Sequence, residues 1–130
     1  MNINEDRIKE KLFKNGLESF QKHEFYDAHE YWEDLWSDYR LEDAKFIQAL
    51  IQLSVGYFHI TNQNKNGAIG LLKKCKPKFE QYLPSTRGLD VIKILMAVNE
   101  SLKFLDEITE MKEFNWSIVP KLKVEHEQSI

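Results

Sequence analysis

Residues 25–36 read Phe-Tyr-Asp-Ala-His-Glu-Tyr-Trp-Glu-Asp-Leu-Trp and gather the groups most able to do chemistry. His29 and Glu33 stand one helical turn apart, a spacing at which two side chains on a helix touch. Glu30 adds a carboxylate next to the imidazole. Such a set can ligate Zn²⁺ or another divalent ion, move a proton, or hydrogen-bond a small polar molecule. His29-Glu30-x-x-Glu33 has the outline of the zinc-protease helix His-Glu-x-x-His, whose two histidines hold the metal and whose glutamate is the base; here Glu33 stands where the second histidine would be. The Glu-x-x-His di-iron arrangement needs several inward glutamates on four helices, and this chain lacks that set.

A second polar group lies in the next apolar segment. On a helical wheel Gln48, Gln52 and His59 fall within about 40° of one another, with Val55 beside them and Gly56 close on the other side. Most other positions of that segment are apolar, among them Phe46, Ile47, Leu50, Ile51, Leu53, Tyr57, Phe58 and Ile60. A helix apolar on nearly every side is central, and a polar row on it must find hydrogen-bond partners. His29 and Glu33 are the best partners available, and small Ala49 and Gly56 permit close approach. Around His29, the rings of Phe25, Trp32 and Trp36 fall within about 60° on one side, while Glu33 falls about 40° to the other and Glu30 about 100° away. The expectation is therefore a polar seam between two helices, containing His29, Glu33, Gln52 and His59.

Three functional classes compete for that seam. As a closed hydrogen-bond network it fixes helix register and binds nothing. As an open pocket lined by His29, Glu33, Trp36, Gln48, Gln52 and His59 it takes a small polar ligand, or a divalent metal on His29, Glu33 and His59. With metal present, hydrolysis follows, Glu30 being the candidate base. In the third class the aromatic face of Trp32 and Trp36, or the region of Trp116, receives a partner protein; a homodimer is compatible with this.

The remaining candidates carry less. His23 falls in a turn, His126 in the tail, and Cys75 on an apolar stripe as an inert core thiol. Asn99, polar on the stripe of a later helix, either joins the seam or satisfies a backbone group. There is no Gly-rich phosphate loop, Ser-His-Asp pattern or CxxC pair.

The elements that must position these groups are helical. With 5 Gly and 3 Pro and no alternating run flanked by hairpin turns, the 3.6-residue period dominates. A first helix is expected over about residues 4–22, burying Ile8, Leu12, Phe13, Leu17 and Phe20. The second spans about 25–39 and the third about 42–62. Residues 62–67 are polar loop, in which an asparagine caps a fourth helix. That helix buries Ala68, Leu71, Leu72, Cys75, Phe79 and Tyr82, and Pro77 should kink or split it. A break at 83–88 precedes a fifth helix, about 89–111, with a stripe of Ile92, Leu95, Met96, Asn99, Leu102 and Leu105. Phe114, Trp116, Ile118 and Val119 then form a strap across the bundle. Residues 1–120 are read as one compact all-α domain and 121–130 as a frayed tail.

Size and composition fit this. At 130 residues, 42% hydrophobic and 30% charged, the chain has the balance of a single globular domain. Its net charge of −3 argues against a general nucleic-acid binder. Lys73, Lys74, Lys76 and Lys78 read as a solvated helix face, with a docking patch for an acidic partner as the alternative. No segment has the length of a membrane span, no signal peptide is evident, and a single cysteine fits the cytoplasm.

Several blocks together carry a family resemblance. Phe25-Tyr26-Asp27-Ala28-His29-Glu30-x-Trp32-Glu33-x-Leu35-Trp36 resembles the signature of the DUF309 family, small proteins without an assigned function. The likeness continues through Phe46-Ile47-Gln48-Ala49-Leu50-Ile51-Gln52, then Tyr57-Phe58-His59, then Asn66-Gly67-Ala68, over about residues 10–75. Ala49 departs from the family's usual glycine. The resemblance implies an irregular all-helical array of the TTHA0068-like type and no reaction. The matched positions are His29, Glu30, Trp32, Glu33, Trp36, Gln52 and His59.

Overall fold

The computed structural model describes residues 3–124. The apolar periodicity becomes five helices: α1 (Ile3–Gln21), α2 (Phe25–Asp38), α3 (Ala44–Thr61), α4 (Lys65–Glu80) and α5 (Val91–Glu107). The expected boundaries hold to within a few residues. As its composition demands, α3 is central: α2 and α4 pack on it, α1 packs on α2, and α5 on α4. Asn64 caps α4, its side chain accepting from Gly67 N. Pro77 neither splits nor ends α4, which runs through it to Glu80. The residue is exposed, so the carbonyl one turn earlier that loses its amide partner lies on the solvent side.

The break after α4 is a small hairpin rather than a plain loop. β1 (Ser85–Thr86) pairs antiparallel with β2 (Leu89–Asp90). Its turn residues Arg87 and Gly88 both have positive φ, 54° and 78°, the signature of a type I′ turn. Arg87 makes two hydrogen bonds to the Asp43 carboxylate, at 2.6 and 3.0 Å, and its guanidinium lies 4.7 Å from the centre of the Phe13 ring. One side chain thus ties the hairpin to the start of α3 and to α1.

Gly16 lets α2 come close to α1. Trp32 is fully buried, and its indole N–H donates to the carbonyl of Phe13 at 3.2 Å. The ring lies flat against Gly16, where a Cβ would overlap indole Nε1, Cε2 and Cδ1. Phe20, Phe25 and Tyr57 continue this core. The strap closes it: Phe114, Val119, Leu122 and Val124 are buried, and Trp116 stacks on Phe25 with ring centres 5.9 Å apart.

Three expectations are corrected. Ile8 is 47% exposed, because residues 3–8 are exposed throughout and the first turns of α1 run past the core. On α5 the buried face is Val91, Ile94, Ala97, Val98, Ser101 and Leu105, leaving Ile92 and Met96 49% and 65% exposed and Asn99 outside. That helix is apolar on two overlapping faces. The buried phenol of Tyr57 needs a partner, and the inward face supplies it through Ser101, 2.8 Å away. Finally, residues 121–124 are not frayed. Leu122 and Val124 are buried, and Gln21 Nε2 donates to the carbonyl of Leu122 at 3.0 Å. The rest of the expected tail, 125–130 with His126, lies outside the described residues.

Two measurements check this packing. Gly→Ala inside a helix ordinarily gains up to about 1 kcal/mol. At Gly16 the sign should reverse, to a loss of about 1–3 kcal/mol in denaturant unfolding, because the new methyl must displace Trp32. The second is alkaline. Burial pushes the Cys75 thiol from its ordinary 9.0 to about 12 and drives the Tyr57 phenol higher still. The native state holds these protons while the unfolded chain releases them. Stability is therefore full below about pH 9 and falls between there and about 12. Unfolding free energies across that range should decline, and Cys75→Ala should lessen the decline.

Candidate functional site

Both ring nitrogens of His29 face oxygen acceptors. Nδ1 is 2.9 Å from the carbonyl of Tyr26, and Nε2 is 3.2 Å from Glu33 Oε2. A carbonyl and a carboxylate only accept, so both contacts are hydrogen bonds when the ring is an imidazolium donating from each nitrogen. The pair is asymmetric, with the His29 side chain 19% exposed and Glu33 56%. The Tyr26 ring sits 5.0 Å from His29 and 5.3 Å from Phe58 on α3, so this flank of α2 faces α3. Trp36, seven residues after His29, returns to within about 20° of it on the helix and is 41% exposed.

On α3, beyond its first residue Ala44, the partly exposed positions are Gln48, Ile51, Gln52, Val55, Phe58 and His59; most of the rest of the helix is buried. Phe58 marks the edge toward α2 and His59 the edge toward α4. Asn64 Oδ1 accepts from Gly67 N, which turns its amide nitrogen toward His59 Nδ1 at 3.3 Å. Nδ1 is then the acceptor, and the neutral ring carries its proton on Nε2. A Cβ on Gly67 would stand 2.6 Å from Asn64 Nδ2 and 3.0 Å from His59 Cδ2. His59, Asn64 and Gly67 therefore form one close-packed corner between α3 and α4.

The expected seam is thus two arrangements rather than one. Among the described residues, no hydrogen bond or ion pair joins His29 or Glu33 to Gln48, Gln52 or His59. No group of three His, Cys, Asp or Glu side chains among them stands close enough to hold a metal ion. The three-ligand centre of His29, Glu33 and His59 is not assembled. The reason is local: each imidazole finds its partners within its own helix or the adjoining turn, which needs less ordering than a bond across the helix interface. Glu30, the candidate base, is exposed and lines a shallow depression on the outer face of α2 with Asp27, Tyr31 and Asp34, turned from α3. Asn99 is exposed and joins nothing in the seam. Gln52 keeps one trace of the expectation: its Oε1 is buried and has no hydrogen-bond partner.

Other features escaped the sequence reading. Tyr26 is half exposed between His29 and Phe58, and its place in the motif block does not by itself announce that position. The Asp43–Arg87 pair joins residues far apart in the chain, and no local spacing announces it. His23 stacks on Phe25 at 5.1 Å and approaches Trp116 at 5.8 Å, a positive φ of 59° turning it back over the core.

The stretch from the Trp32 acceptor to the α3–α4 corner is also what family comparison picks out. Residues 13–71 match DUF309, a domain of unknown function. No curated protein matches the chain. The DUF309 segment begins at Phe13, whose carbonyl receives the Trp32 indole, and includes Gly16, His29, Glu33, Trp36, Gln52, His59, Asn64 and Gly67. It leaves out α5 and the strap. The match assigns no reaction, so what the segment does must be argued from its exposed groups.

Gln52 offers a direct test. A buried acceptor without a partner costs about 1–3 kcal/mol. Gln52→Leu should therefore leave stability unchanged or raise it in thermal unfolding. A clear loss would mean that Oε1 is hydrogen-bonded in solution.

Proposed function

We propose that this chain is a binding module that holds a small polar ligand with a flat face on the flank of α2 that faces α3. The observation that carries this reading is Trp36. It is 41% exposed, whereas Trp32, one turn earlier on the same helix, is fully buried. An indole half open to water offers a stacking surface, and polar groups that fix orientation surround ligands in such sites. Glu33 and His29 stand on the same side of α2 as Trp36, and Gln48 and Gln52 are partly exposed amides on α3 that would complete the site.

His59 serves this reading as a corner residue that sets the position of α4 against α3. Metal-assisted hydrolysis is not favoured, since the three ligands are not together and Glu30 faces outward. Of the aromatic surfaces that a protein partner would use, Trp32 is buried and Trp116 is engaged with Phe25 and His23, which leaves Trp36. No helix among the described residues is long and apolar enough to cross a membrane. A cytoplasmic setting belongs to the same proposal and rests on the single cysteine.

The test is an NMR titration of the isotope-labelled protein with panels of nucleosides and monosaccharides. Binding should shift the indole N–H of Trp36, the side-chain amides of Gln48 and Gln52, and the His29 ring. Trp36→Ala should abolish these shifts while destabilising the fold by much less than the roughly 3–5 kcal/mol of a core tryptophan. Shifts that survive Trp36→Ala, or that map elsewhere, would remove this surface as the site.

A further inference from the structure

A cleft opens between the start of α5 and the chain leaving the Trp116–Ile118 turn. It encloses about 520 Å³, inside the roughly 300–1,000 Å³ typical of ligand pockets. Its polar lining is Lys93, Lys121 and Lys123 with Asp90 and Ser117, and Val119 and Pro120 complete the wall. We infer that this cleft binds a small phosphorylated molecule.

The charges point that way. Three lysines line one concave space with one acidic residue, and the carboxylate of that residue is already engaged. Asp90 caps α5, its Oδ1 accepting from the backbone N–H of Lys93 at 3.0 Å. Ser117 is likewise engaged locally, its hydroxyl donating to Asn115 Oδ1 at 2.7 Å. Among the described residues, none of the three lysines forms an ion pair. The cleft is therefore positive in a chain whose net charge is −3. Ammonium groups gathered in one concavity repel one another, and an anion that bridges them relieves this. A phosphate monoester suits the geometry: it carries close to two negative charges near neutral pH, and its three terminal oxygens can accept from more than one lysine. Buried Val119 and Pro120 give the remainder of the molecule an apolar wall. A long polyanion fits less well, because the overall negative charge of the protein opposes it beyond the cleft.

This cleft lies wholly outside residues 13–71 and shares no residue with the α2–α3 surface, so the two can fail independently. Glycerol 3-phosphate separates them further, since it has no ring to stack on Trp36. In calorimetric titrations of the full chain at low salt, glycerol 3-phosphate should bind and glycerol should not. The double variant Lys93→Ala, Lys121→Ala removes exposed side chains and should keep its unfolding temperature while losing affinity by about tenfold or more. The double variant Lys73→Ala, Lys74→Ala, which strips two exposed lysines from α4, should bind as the parent does. No heat with glycerol 3-phosphate at millimolar concentration would overturn the inference. So would an equal loss in the α4 variant, which would show diffuse attraction to surface lysines instead of a site.

Discussion

The position of Trp32 on Gly16 governs most of what this structure presents. A fully buried indole needs a flat surface to lie on and an acceptor for its N–H, and α1 supplies both through Gly16 and the carbonyl of Phe13. Anchoring that ring fixes the rotation of α2 about its own axis. His29, three residues before, and Trp36, four after, are then carried to the flank that meets α3, while Glu30 and Asp34 are carried outward. One hydrophobic contact thus decides which charged groups of a dense polar segment face a neighbouring helix and which face water.

The corner between α3 and α4 is a second constraint of the same kind. The side chain of Asn64 serves two partners at once, capping α4 through Gly67 N and presenting its amide to His59. A side chain at position 67 would displace the Asn64 amide, which is directed at the imidazole. The polar residues of the DUF309 segment therefore divide in two. His59, Asn64 and Gly67 maintain an architecture, whereas His29, Glu33 and Trp36 remain on view.

Much of the fold was legible in the chain because helical periodicity and capping are local. The four-residue spacing of His29 and Glu33 correctly placed them in contact, and the polar run 62–67 correctly contained the cap of α4. The reading failed where long-range satisfaction overrode a local pattern. A wheel shows that Gln52 and His59 share a face with Gln48, but not that His59 will find Asn64 around a corner. Nor does it show which of two apolar faces of α5 turns inward when the deciding partner is a tyrosine on another helix. Leu122 and Val124 were assigned to a loose end because a charged composition hid two apolar anchors at alternating positions. The lysine cleft has the same origin: Lys93 and Lys121 meet only after the chain has folded back.

The bond between Asp43 and Arg87 has a consequence for how the molecule comes apart. Forty-four positions separate the two residues, and the circuit they close contains all of α3 and α4. Asp43 is the N-cap residue of α3 but its side chain makes no cap hydrogen bond; the carboxylate is given to the hairpin instead. Loss of this latch would let the hairpin lift from α1 and expose the Phe13 ring that the guanidinium covers. Because β2 runs directly into α5, such an opening would loosen the helix behind it as well, while Trp32 still held α1 to α2. The hairpin edge, held by this pair and by buried Leu89, thus links α1 and the start of α3 to the start of α5.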